Sequence, residues 1–104
     1  MKDYKQLEAA CARKLAEGRV HMEQWCKNLF DHYISLPDEV RNQLPPLPGN
    51  TAREMVPSLY VDPPTKESAA KFVEERQVLV EIQQACVQLA TKYNEAEEVR
   101  CLLQ

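Results

Sequence analysis

The chain has 104 residues and a formal net charge of −3, with only two glycines but seven prolines and four cysteines. This length predicts one domain, and two glycines exclude the glycine-rich loops that bind phosphates. A hydrophobic content of 44% with 28% charged residues is typical of a folded, soluble chain. The acidic balance, without a basic stripe, argues against nucleic-acid binding, and no apolar run reaches the roughly 18 residues of a membrane span.

All seven prolines lie between residues 37 and 64, and they divide the chain into three parts. Proline interrupts helices because it lacks a backbone donor and clashes with the preceding turn, whereas both flanks are rich in helix-forming residues. We therefore predict a single all-α domain: a long helix over residues 1–36, a Pro-rich connector over residues 37–64 with one or two short helices, and a second long helix over residues 65–104.

The first flank carries an apolar stripe with a seven-residue spacing, which is typical of an amphipathic helix. Its members are Leu15, Met22, Leu29 and Leu36, with Cys11, Gly18 and Trp25 between them. Gly18 costs about 1 kcal/mol relative to alanine inside a helix. Its place on the stripe predicts either a close approach by a neighbouring element or a slight kink.

Local signals predict short elements inside the connector. Pro37 and the two acids after it are typical of a first helical turn, and predict a short helix ending near Leu44. Thr51 and Glu54 match a capping box, which predicts another helical turn. The segment 59–61 is a candidate for a short extended piece. The prolines that follow Leu44 resemble the PPLP ligands of WW domains, but a stiff corner between helices is the favoured interpretation.

The second flank repeats the helical pattern. Its stripe consists of Phe72, Leu79, Cys86 and Tyr93, with Ile82, Leu89, Ala96 and Leu103 between them. Asp62 or Thr65 is the predicted N-terminal cap of this helix. A side row of Val78, Val80 and Val87 makes the helix apolar on more than one edge.

Two long helices joined by a compact connector fold most simply as an antiparallel hairpin. The charges agree with this pairing, because residues 1–34 hold six basic and five acidic side chains, whereas residues 67–104 hold four basic and seven acidic ones. A two-helix hairpin of this size buries little apolar surface. We therefore expect either a dimer that forms a four-helix bundle or docking onto another protein.

The four cysteines have a regular spacing, with 15 residues from Cys11 to Cys26 and from Cys86 to Cys101. In an antiparallel hairpin this spacing would place Cys11 opposite Cys101 and Cys26 opposite Cys86, as two possible disulfides. The pattern resembles the twin-Cys helical hairpins of the mitochondrial intermembrane space. Reduced cysteines that act as small core residues are the favoured alternative, because no secretory signal or oxidising compartment is indicated. We accordingly predict a cytoplasmic location.

No pattern that carries chemistry is present. Zinc sites need ligand pairs such as C-x-x-C, which the chain lacks, and Glu17 with His21 has no third orienting group. We predict no enzymatic activity, no catalytic residues, no cofactor, no metal and no small-molecule substrate. The segment 101–104 has the C-a-a-X form of a prenylation site, but the acidic residues before it favour an unmodified tail.

Large aromatic residues and Met are enriched at the hot spots of interfaces, and they lie near the Pro-rich end of the predicted hairpin. The residues of this predicted partner-binding surface are Trp25, Phe30, Tyr33, Leu47, Met55, Leu59 and Tyr60. A structural cap on the hairpin core is the favoured role of these side chains, and partner binding is the second. We predict a non-enzymatic interaction module, an adaptor, assembly factor or inhibitor, that binds another protein through a helix face and the Pro-rich end. A structural homo-oligomer and the twin-Cys hairpin are the alternatives.

Overall fold

The computed structural model describes the backbone of residues 2–103 and the side chains of residues 4–103, and all regular structure in this part of the chain is helical. In chain order the elements are α1 (Lys2–Ser35), α2 (Asp38–Arg41), α3 (Ala52–Met55), a 3-10 helix (Pro57–Tyr60) and α4 (Lys66–Leu103). The prediction of two long helices joined by a connector with short helices is confirmed. The predicted limits of the connector agree with the structure to within one residue.

Both predicted short helices of the connector form, although α2 ends at Arg41 and not near Leu44, and α3 has the predicted cap. The Thr51 side chain accepts a hydrogen bond from the Glu54 backbone N–H at 3.4 Å, and the Glu54 carboxylate accepts one from the Asn50 N–H at 3.1 Å. This exchange satisfies donors that the first turn of α3 would otherwise leave without partners. In the candidate extended segment 59–61 only Val61 is extended, because Leu59 and Tyr60 belong to the 3-10 helix.

Thr65, and not Asp62, caps α4. The Thr65 Oγ1 accepts from the Ser68 backbone N–H at 3.0 Å, and the Ser68 Oγ accepts from the Thr65 N–H at 2.8 Å. The two side chains thus satisfy each other's backbone donors in the manner of a capping box, with serine in place of the usual glutamate. α4 therefore begins abruptly at Lys66.

The N-terminal end of α4 packs beside the middle of α1. Leu15 and Phe72 line one cavity of about 180 Å³ together with residues of the 3-10 helix. Within that 3-10 helix, the Leu59 carbonyl accepts a hydrogen bond from the Arg19 Nε at 3.1 Å. The neighbouring Ser58 N–H donates to the Glu75 carboxylate on α4, also at 3.1 Å. Residues 15–19 of α1 and the first turns of α4 therefore lie side by side, at the same position along the long axis of the molecule.

From that position, α4 runs in the same direction as α1. The short helix α2 lies two residues beyond the end of α1, and it packs against α4. The segment from Arg19 to Ser35 covers about 24 Å of helix, so α4 can reach α2 only by running alongside α1 toward its C-terminal end. The fully buried residues of α4 agree with this direction, since Leu79, Ile82 and Cys86 share one core with Met22, Cys26 and Leu29 of α1.

The predicted antiparallel orientation of the two long helices is therefore wrong. The hairpin consists of α1 and the connector, which returns along it, and α4 then runs parallel to α1. The reason lies in the apolar side chains of the connector, which become as buried as those of the long helices. They are Leu36, Val40, Leu44, Ala52, Met55 and Val56, each at most 8% exposed. Only a connector laid along both helices can remove all of these side chains from water.

The two long helices are offset along their axes. The molecule measures 74 × 20 × 17 Å, whereas the 38 residues of α4 span only about 57 Å. As a result, residues 4–14 of α1 and residues 94–103 of α4 extend past the packed section at opposite ends, and neither segment contains a buried residue. We call these segments the α1 overhang and the α4 overhang.

The parallel arrangement also separates Cys11 from Cys101, one of the two cysteine pairs that the sequence left possible. All four cysteines are free; Cys11 and Cys101 are exposed, whereas Cys26 and Cys86 are buried. Because Leu15 lies at the level of Phe72, Cys11 and Cys101 lie at opposite ends, separated by about 50 Å of helix. The possible bridge between them is therefore absent, and Cys26 and Cys86 are reduced core residues, as in the favoured alternative. Burial raises the pKa of both buried thiols.

Gly18 does not serve as the contact point that the stripe suggested. A Cβ added at this position meets no heavy atom within 4 Å. Replacing Gly18 by alanine should therefore raise the free energy of unfolding by about 1 kcal/mol, because alanine restricts the unfolded chain more than glycine does. Urea denaturation followed by circular dichroism measures the difference.

Gly49 provides the matched control for this substitution. A Cβ at Gly49 would collide with the Glu54 side chain, and the Glu54 backbone lies only 3.2 Å away. Gly49→Ala should therefore destabilise the protein, while Gly18→Ala stabilises it. Equal effects of the two substitutions would contradict the packing described for Gly18.

Candidate protein interaction surfaces

The residues of the predicted partner-binding surface lie against the core. Met55 is only 2% exposed, so a partner cannot contact its side chain in this conformation. The other six are partly buried and pack on the same core: Trp25, Phe30, Tyr33, Leu47, Leu59 and Tyr60. Their structural role is thereby established, and their role in partner binding stays a prediction.

The aromatic residues of α1 do not converge on a single patch. Trp25 and Phe30 are five residues apart, which separates them by about 140° around the helix, so they flank the buried stripe on opposite sides. Around the helix axis Tyr33 lies between Trp25 and Phe30, and its hydroxyl donates a hydrogen bond to the Pro45 carbonyl at 3.1 Å. Tyr33 thus ties the connector to α1, while Trp25 and Phe30 pack partly buried against the core.

Tyr60 is held between cationic side chains from two elements. The Arg53 guanidinium lies 4.5 Å from the centre of the ring and the Arg19 guanidinium 5.5 Å from it, both within the range of cation–π attraction. The Tyr60 hydroxyl donates to the Glu23 carboxylate at 3.1 Å. Burial, followed by this hydrogen bond, raises the pKa of Tyr60. Neither arginine is marked by its local sequence as a partner of Tyr60, so both were absent from the predicted surface.

The α1 overhang exposes the continuation of the core stripe. Tyr4 and Leu7 are 70% and 64% exposed, and Cys11 is exposed as well. Tyr4 and Cys11 precede Gly18 at seven-residue spacing, so they lie on the face that becomes the core further along α1. The sequence shows this stripe, but only the offset of α4 leaves it uncovered.

α4 presents a second apolar row on the side away from the core. Val73, Val80 and Val87 are seven residues apart; Val73 and Val87 are 65% and 55% exposed, and Val80 is half-buried. Between Glu81 and Lys92 the chain has no Asp, Glu, Lys, Arg or His. Two of these residues, Val80 and Val87, belong to the side row predicted from the sequence, whose third member was Val78 and not Val73. The missing charges are a signal that could have assigned the row to a surface.

Within residues 4–103, no cluster of three or more His, Cys, Asp or Glu side chains could hold a metal ion. Among the helices described, none combines the length and apolar character needed to cross a membrane. The segment 101–104 is helical up to Leu103, and its last residue lies outside the described part of the chain.

The fold and these surfaces define an extended, all-helical protein with apolar faces that its own chain does not cover. No family model, no curated protein and no solved structure matches the chain.

Proposed function

We propose that this protein is a non-enzymatic interaction module, an adaptor, assembly factor or inhibitor, that binds another protein through the α1 overhang. The observation that carries the proposal is the exposed stripe of Tyr4, Leu7 and Cys11, which continues the core face of α1 beyond the start of α4. A stripe of this kind is buried wherever α4 and the connector reach it. Its uncovered part offers a partner helix the same kind of packing.

The charges of the α1 overhang suggest the chemistry of the partner. Within the overhang as defined, three residues are basic (Lys5, Arg13 and Lys14) and one is acidic (Glu8). A surface with an excess of one charge favours partners of the opposite charge. The expected partner therefore presents an amphipathic helix that carries acidic residues beside its apolar stripe.

Replacing Leu7 by glutamate tests this proposal. The substitution places a negative charge in the middle of the stripe, so a partner helix would have to bury it without a counter-charge. Tagged full-length protein, recovered from its native cells, should retain at least about tenfold less of its specifically bound protein, as quantified by mass spectrometry.

Val20→Glu is the matched control, because Val20 is also 64% exposed but lies on the opposite side of α1. Both variants should have the same helical content and the same thermal midpoint, and Val20→Glu should keep the bound protein. If Leu7→Glu also keeps every specific partner, the α1 overhang is not the binding surface.

A further inference from the structure

The outer face of α4 has an uncharged centre that runs along the helix. Val80, Gln83, Gln84, Val87 and Gln88 line a shallow groove there. Gln83, Gln84, Val87 and Gln88 are exposed, and Val80 is half-buried. A mostly exposed face of valine and glutamine has the depletion in charge that marks the centres of protein interfaces.

Charged residues of opposite sign lie beyond the two ends of this uncharged centre. Toward the N-terminus, Lys66 precedes Val73 by seven residues and Arg76 precedes Val80 by four. Toward the C-terminus, Glu95 and Glu98 follow Val87 by eight and eleven residues, and these spacings keep all four side chains on the outer face. All four are exposed, and none has an ion-pair partner within the described residues.

We infer that the outer face of α4 binds a second copy of this chain, with the two α4 helices antiparallel and the two-fold axis between Gln83 and Gln84. The basic end of one copy then meets the acidic end of the other at both ends of the interface. A parallel pair would instead place Lys66 beside Lys66 and Glu98 beside Glu98. The order of charges thus selects the antiparallel pair.

The same axis aligns the apolar residues. Val80 of each copy lies opposite Val87 of the other, and the glutamine side chains meet at the centre. Arg76 comes within about one helical turn of Glu95 of the other copy. The contact is closed and self-complementary, so it produces a dimer and not a filament.

This interface lies apart from the surface of the proposed function. The dimer covers the outer face of α4 and leaves Tyr4 and Leu7 exposed at both ends. Loss of dimerisation and loss of partner binding are therefore separable, and each proposal can fail without the other.

Sedimentation equilibrium of the full-length chain tests the dimer. We expect the wild type to have twice the 12.0 kDa chain mass, and the double variant Val73→Glu, Val87→Glu to weaken dimerisation by about 100-fold or more, because each glutamate would be buried without a counter-charge. Val20→Glu and Leu7→Glu should remain dimeric. A wild type that stays monomeric at micromolar concentration, or a double variant that dimerises equally well, would overturn the inference.

Disulfide cross-linking tests the orientation. In protein whose exposed Cys11 and Cys101 are replaced by serine, Gln84→Cys should give a covalent dimer on mild oxidation, because position 84 lies at the axis. Thr91→Cys on the same face should not, since the two copies of position 91 lie about 22 Å apart. Cross-linking of both variants would show a parallel pair, and cross-linking of neither would show that α4 is not the interface.

Discussion

Leu79→Ala should lower the free energy of unfolding by about 3 kcal/mol, within the range of about 2 to 5 kcal/mol known for buried leucines. Leu79 is 0% exposed and lies in the core that α1, the connector and α4 share. The truncation removes contacts to all three at once and leaves a cavity where they meet. The total free energy of unfolding of a small domain is only about 5 to 15 kcal/mol, so this loss should lower the urea midpoint strongly.

The neighbouring Val78 provides the control, because it is 48% exposed and lies outside that core. Val78→Ala should change the free energy of unfolding by no more than about 0.5 kcal/mol. Similar losses for both substitutions would mean that α4 does not bury the face described here.

Spin labels on Cys11 and Cys101 should report a distance of about 50 Å within one molecule. The antiparallel arrangement that the sequence suggested would place the same two residues side by side, at about the 10 Å spacing of packed helices. Both thiols are exposed, while Cys26 and Cys86 are buried with raised pKa values, so the labelling reagent reaches the intended pair first. Pulsed electron paramagnetic resonance measures the distance, and excess unlabelled protein in the sample suppresses distances between labels on different molecules.

A second labelled pair calibrates this measurement. With Cys11 replaced by serine, labels at Val73→Cys and Cys101 lie on α4 alone, about 42 Å apart in any arrangement of the helices. If this control gives its expected distance and the Cys11–Cys101 pair gives a short one, the parallel orientation is wrong.

The connector is the element whose role the sequence described least well. Its prolines predicted a link between helices, and its caps at Thr51 and Thr65 predicted where the neighbouring helices begin. Those predictions succeeded because capping and proline geometry depend only on adjacent residues. The burial of Val40 and Met55 to 2% exposure depends instead on which distant surfaces the connector contacts.

The candidate surfaces likewise combine a feature that the local sequence shows with one that distant contacts decide. The stripe through Tyr4 and the valine row of α4 are both visible in the sequence as seven-residue spacings. Whether each is core or surface is decided by the offset between α1 and α4, which no local pattern encodes. For this reason the aromatic residues chosen from the sequence pack against the core, while the stripe through Tyr4 is uncovered.

The sequence by itself determined the helical class, the limits of the two long helices and the position of the connector, because these follow from periodicity, helix propensity and proline. Only the tertiary structure decided the direction and offset of α4. An apolar stripe has the same period in either direction, and the 30 residues between Ser35 and Lys66 are long enough to permit both. The parallel arrangement prevailed because it lets the connector bury its own apolar side chains between the two helices, and its offset leaves the apolar stripe of the α1 overhang uncovered.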